Sequence, residues 1–327
     1  MHPVLVAAVA GSAVRPAVII PGGGWAYGAN GTYQPLAATS GVPAGTSLTT
    51  HTGGYTITTS GTSISGMNVT GGIDIKTSNV TVSSSRVRGQ SPNASGACVD
   101  MRWTGCVNAL LQDCEVAPDV PQTYLNCVMG HDYTAQRCNV HAGTDGFRAS
   151  TNNNNGGNIG TVTNVHLLGC YSHGNAGWVS DPAQGNGPSH SDPLQYEGGN
   201  NSTVIGNNFD GRIDPTLGNG TATASTWNGG QHSIPGSLDV SQCNQWNRNT
   251  TPSITSGIIL NNNWFDYAYI AINMGSLGAG NHIDSIQNNL FGHHTASGVQ
   301  INLVGTTVGT LSGNAFVDGV GSIVTHA

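Results

Sequence analysis

Two short segments put acids beside groups that could hold or polarise a substrate. They are Gly143-Thr144-Asp145-Gly146-Phe147-Arg148 and His190-Ser191-Asp192-Pro193-Leu194-Gln195-Tyr196-Glu197. Aligned, they set Asp145 against Asp192 and Arg148 against Gln195. Carboxylates forced together repel, so one holds its proton or the pair draws in a cation such as Ca2+, whose ligands are oxygens. Sugar chemistry uses both arrangements. A glycoside hydrolase needs two carboxyl groups, about 5 Å apart for retention or about 6.5–9.5 Å for inversion. A lyase needs a base for a carbon-bound proton and a cation or arginine against the adjoining carboxylate. Arg148, His190 and His173 are the candidate catalytic partners of Asp145 and Asp192. Gln195, Glu197, Trp178 and Trp227 are candidate substrate contacts. Two readings stand beside catalysis: binding without turnover, and two aspartates that only accept hydrogen bonds from turn amides. His293-His294 has no identifiable further ligands, so no protein metal centre is read beyond Ca2+ at Asp145 and Asp192.

The elements that would position these residues emerge from self-similarity. A short segment ending in an apolar residue recurs, as in Leu111-Gln112-Asp113-Cys114-Glu115-Val116, Ala135-Gln136-Arg137-Cys138-Asn139-Val140 and Ile286-Gln287-Asn288-Asn289-Leu290-Phe291. Its fourth position forms a column: Met67, Ser85, Cys114, Cys138, Cys170, Asn207, Asn263, Asn289, Asn314. Variable spacing around a short period suits stacked coils, each unable to bury its apolar side alone. Stacking at about 4.8 Å sets like residues above like. Asparagines in such a column can hydrogen-bond up and down while tolerating left-handed backbone at the bend, and cysteines there are read as small buried hydrophobes. Phe209, Phe265, Phe291 and Phe316 form a second, core column. A third column is expected to hold Asn126, Asp145, Asp192, Ile270 and Ser297, with Arg148, Gln195, Asn273 and Gln300 three positions on.

Composition narrows the class. Of 327 residues only 8% are charged, against about 25% in ordinary soluble domains. Glu115 and Glu197 are the sole glutamates and Lys76 the sole lysine, so large helical domains are excluded. A net charge of -7 without a basic cluster excludes nucleic-acid binding. Seven cysteines are an odd number and match no zinc spacing. The apolar run Met1–Val14 lacks a basic start and is too short to span a bilayer, so it is read as a packing or docking segment.

The recurring coil ends from residue 44 onward resemble those of right-handed parallel β-helix proteins. These form the pectate-lyase-like superfamily, which includes secreted polysaccharide lyases and hydrolases and bacteriophage tailspikes. His190-x-Asp192-x-x-Gln195 is similar to a recurring H-x-D-G-[IL]-Q motif there, with Pro193 replacing the glycine. The resemblance implies an all-β, right-handed parallel β-helix of about nine or more coils. It would cover residues 44–327 with insertions near 173–189 and 211–254, behind an apolar, glycine-rich head at 1–43. The implied function is a phage minor tail protein or tailspike. It would sit in the virion as a homotrimer, contacting other tail proteins and a host cell-surface polysaccharide, with depolymerisation left open. The alternatives are a secreted polysaccharide lyase or glycoside hydrolase, and a purely structural β-helix.

Overall fold

The computed structural model describes residues 34–92, 96–150, 164–182, 185–186, 189–196, 200–218, 256–274, 281–295 and 297–326. Among them every regular element is a short β-strand, and no α-helix occurs. Parallel pairings build sheets of ten, nine and six strands, with smaller sheets of three and two. The chain visits the large sheets in rotation. Thr49–His51 opens the ten-stranded sheet, Tyr55–Ile57 the six-stranded one and Ser63–Ser65 the nine-stranded one. Met67–Val69 then returns beside Thr49–His51. This order is compatible with a parallel β-helix.

Three-residue strands bury little alone, and it is the stacking of inward columns that makes the core. On the ten-stranded sheet one such column runs Val69, Val87, Val116, Val140, Ser172, Phe209, Phe265, Phe291, Phe316. Its rings at 209, 265 and 291 stack with centroids 5.5 and 5.4 Å apart. Burying each ring contributes roughly 1.5–3 kcal/mol, and each stacked pair about 0.5–1.5 kcal/mol beyond that.

The Met67-to-Asn314 column stacks rung on rung, two residues before the core column. Asn263 Oδ1 accepts from both the backbone N–H and Nδ2 of Asn207, at 3.0 and 2.9 Å. Asn289 Oδ1 does the same for Asn263, and Asn314 Oδ1 for Asn289. The remaining amide protons return to the carbonyls of Leu167, Val204 and Leu260. Every polar atom is thereby satisfied, which is why Asn207, Asn263 and Asn289 can be wholly buried. Cys170 N–H donates to Asn207 Oδ1 at 2.8 Å, joining the thiol rungs to the amide rungs. The six described cysteines are free and buried.

Two expectations need correction. The left-handed bend falls one residue before each ladder asparagine, at Gly206, Asn262, Asn288 and Gly313 (φ 69, 58, 55 and 67°). The ladder residue itself is extended enough to aim its amide along the stack. The third column also fails in its second half. Ala268 bridges Thr295, but Ile272 faces Ile301 and Asn273 faces Asn302, so Gln300 is not the partner of Asn273. Two extra residues in the later turn shift the register, and these strands form a separate three-stranded sheet.

Candidate functional site

The first half of the third column stands on the six-stranded sheet. Phe147–Ala149 pairs with Leu194–Tyr196, setting Arg148 opposite Gln195. Just before these strands Asp145 N–H donates to Asn126 Oδ1 at 3.3 Å, and Asp192 N–H donates to Asp145 Oδ1 at 3.1 Å. Arg148 Nη1 lies 3.7 Å from Asp145 Oδ2. Gly146 has a local cause. A Cβ there would press on the Ser172 hydroxyl and come within 2.7 Å of the Pro193 carbonyl oxygen. The aspartates are enclosed: Asp145 is 3% exposed and Asp192 0%. Burial pushes the Asp192 carboxyl well above the usual range; the Asp145 charge adds to this and Arg148 opposes it. Neither Asp192 oxygen has a hydrogen-bond partner. A polymer cannot reach a group this deep, so the geometry gives a buried acid pair rather than an open acid–base cleft.

The other expected site residues divide. Gln195 is half-buried beside Arg148. His190 is half-buried, and burial lowers its pKa against the opposing charge of Asp181. Trp178 donates its backbone N–H to Ser189 Oγ at 3.0 Å. His173 makes its contacts on the ten-stranded sheet, with Asn139, His141 and Tyr171. Glu197 and Trp227 lie outside the described residues, as do Trp246 and His232.

His173 belongs to an accessible polar row that sequence reading did not assemble. In the ten-stranded sheet the residues flanking the inward column alternate outward, and there they form a chain of contacts. Arg86 Nε donates to Glu115 Oε2 at 2.9 Å, and His141 Nε2 lies 3.4 Å from Glu115 Oε1. His141 stacks on His173 at 5.1 Å, and His173 on Tyr171 at 4.0 Å. On the next rung Arg212 Nε donates to both oxygens of Asp210 at 3.0 Å. The Arg212 guanidinium stands 4.6 Å over the Tyr267 ring. Tyr267 stacks on His294 at 4.1 Å, and His294 Nδ1 is 3.1 Å from both oxygens of Asp266. The side chains of Arg212, His294 and Asp266 are 55%, 43% and 32% exposed. Residues 35–41 run along one flank, where Asn208 Nδ2 donates to Pro35 O at 2.9 Å and Gly41 N–H to Arg137 O at 2.7 Å.

The electrostatics of the row follow its contacts. The hydrogen bond from His141 is the main cause holding Glu115 down to about 2, with Arg86 assisting against partial burial. Burial, then the neighbouring His141 charge, lowers His173 to about 4. Burial, then Asp210, raises Tyr171 to about 12. Near neutral pH the row therefore offers carboxylates, a guanidinium and neutral imidazole and phenol side by side. One sequence signal could have found it. The residue after each core phenylalanine faces outward, and Phe209-Asp210-Gly211-Arg212 and Phe265-Asp266-Tyr267 carry the chemistry there.

No protein-family model, no curated protein and no solved structure matches this chain.

Proposed function

We propose that this chain is a right-handed parallel β-helix of the pectate-lyase-like kind that binds a cell-surface polysaccharide. In this reading it is a tailspike-like or minor tail component of a bacteriophage virion, acting as a homotrimer beside other tail proteins. The observation that carries binding is the outward row from Arg86 to His294. Adjacent hydroxyls of a sugar each need a donor and an acceptor, and planar Asp–Arg and Asp–His pairs present both in fixed geometry. Tyr267 is sandwiched between Arg212 and His294 and Tyr171 is stacked on His173, so the row acts through polar edges more than open ring faces. Repetition along the sheet suits a polymer that offers the same hydroxyl pattern again and again. Binding without turnover is the form favoured, because Asp266 is engaged by His294 and Asp210 is buried and engaged by Arg212.

The test is binding of the full chain to a panel of bacterial surface polysaccharides, with His141→Ala inside the row and His294→Ala at its far end. Each variant is expected to weaken binding about tenfold, or about 1.4 kcal/mol, with little change in Tm. Unchanged binding in both would remove the row from this reading. Secreted lyase or hydrolase action is the second reading; Asp145 and Asp192 are adjacent, but their burial counts against it. Release of new reducing ends or unsaturated products, lost in Asp192→Asn, would support it.

A further inference from the structure

Two wholly buried side chains lack any partner for their polar atoms: Asp192, at both carboxylate oxygens, and Asn175, at both Oδ1 and Nδ2. Hydrogen bonds place them together. Ser189 N–H donates to Trp178 O at 2.8 Å, Trp178 N–H to Ser189 Oγ at 3.0 Å, and Ser191 Oγ to Ala176 O at 2.9 Å. Residues 175–178 and 189–192 therefore lie side by side in opposite directions, and the same count sets Asn175 against Asp192. Both lie over the Asp145 turn: Asp192 through its hydrogen bond to Asp145, and Asn175 through Ala176 N–H to Gly143 O at 2.8 Å.

A buried carboxylate with no donor and a buried amide with no partner are each costly, by about 1–3 kcal/mol for a neutral group and more for a charge. The Arg148 charge offsets Asp192 only in part, since burial still raises that carboxyl and neither of its oxygens accepts a hydrogen bond. The unmatched acceptors are all oxygens: two from Asp192 and one from Asn175. They supply three of the roughly six to eight oxygens that a Ca2+ ion takes, of the carboxylate and amide types it accepts in irregular geometry. This set differs from a cluster of three or more His, Cys, Asp or Glu, of which the described residues contain none.

We propose that a single Ca2+ binds in the interior between Asp192 and Asn175, with Asp145 as the second negative charge beside it. The ion neutralises the stacked acids and ties the base of the 175–192 excursion to the coil beneath. Its role is structural, and it does not depend on the glycan reading, since the outward row lies elsewhere on the molecule.

The experiment is calorimetric titration of CaCl2 into the EDTA-stripped full chain, with thermal unfolding in EDTA and in Ca2+. The expected result is one ion per chain and a Tm higher by several degrees in Ca2+. In the isosteric Asp192→Asn variant affinity should fall at least tenfold and the Tm difference should vanish. Asn175→Ala, which leaves the carboxylate in place, should weaken binding to a smaller extent. No binding heat together with equal Tm values in the wild-type chain would overturn the proposal. So would Ca2+ binding of undiminished affinity in Asp192→Asn. The wild-type arms decide the matter even if a variant does not fold. Glycan binding that persists in EDTA is expected and keeps the two readings separable.

Discussion

The accessible row and the buried pair respond to acid in opposite directions. His173 is held at about 4, below its ordinary 6.5, mainly by burial. A depressed pKa contributes stability that is present above 6.5 and is lost as pH falls from 6.5 through 4. Glu115, held at about 2 against 4.5, follows the same sign at lower pH, losing its contribution between 4.5 and 2. In the Ca2+-free chain Asp192 is raised, so its carboxyl favours the fold in acid and loses that contribution as pH rises through its folded value. His173, His190 and His166 are all lowered by burial, so each contributes in the window below 6.5. Measured as Tm against pH, the wild-type chain should lose stability across it, and His173→Gln should reduce that loss while leaving the decline below 4.5. A variant curve that matches the wild type from 6.5 to 4 would show that the ring titrates as if exposed.

At the scale of elements, the asparagine rungs act as the pins of the bends. In Asn263→Ala two buried donors on Asn207 lose their acceptor, and two acceptors, Val204 O and Asn289 Oδ1, lose the Asn263 Nδ2 donor. A cost of about 2–4 kcal/mol follows from such unpaired groups. Asn314→Ala, at a half-buried rung, should cost about half as much, and chemical denaturation of both variants measures the contrast. Equal, small losses would mean that the backbone pairing alone fixes the bends. These columns were legible in the sequence because the same chemistry recurs: Cys114, Cys138 and Cys170, then four asparagines, then four phenylalanines. The parallel, all-β character followed from them. The shift between Thr295 and Ile301 was not legible, because that turn carries no repeated residue to mark its two extra positions. The outward row was hidden for a related reason. Core positions demand one size and polarity, whereas Glu115, Asn139, Tyr171, Asn208 and Trp264 share a column with no common type. The pairing of Asp145 with Asp192 could be read from aligned motifs, but their depth could not. Enclosure comes from Asn175–Trp178 and Ser189–Asp192 folding over the turn, which local sequence does not announce.

On the whole molecule, the final described coil is different from the rest. Val304, Leu311, Val320 and Val324 are four of the seven large hydrophobics exposed among the described residues. Leu311 continues the inward column of Leu260 and Ile286, but no described rung lies above it. The seven-residue strand Thr306–Ser312 there carries no charged side chain, although edge strands are commonly guarded by lysine or proline. A surface of that kind favours association over a free monomer. Light scattering of the full chain should give a mass near three times 33.4 kDa if the virion-spike reading is right. A monomer at all concentrations would count against it and bring the secreted-enzyme reading forward.

The asparagine ladder also frees the length of the molecule from its cross-section. Each asparagine rung bonds the next asparagine rung through the same backbone N–H and amide groups, so the join between those coils carries no memory of which coil it is. Asn263 and Asn289 are 26 residues apart and bonded to one another. Cutting out residues 264–289 would bring Leu290-Phe291 directly behind Asn263, in the places of Trp264 and Phe265. Inheritance can therefore shorten or extend such a protein by whole turns, moving its ends closer or farther apart while the surface chemistry of the remaining coils is left as it was.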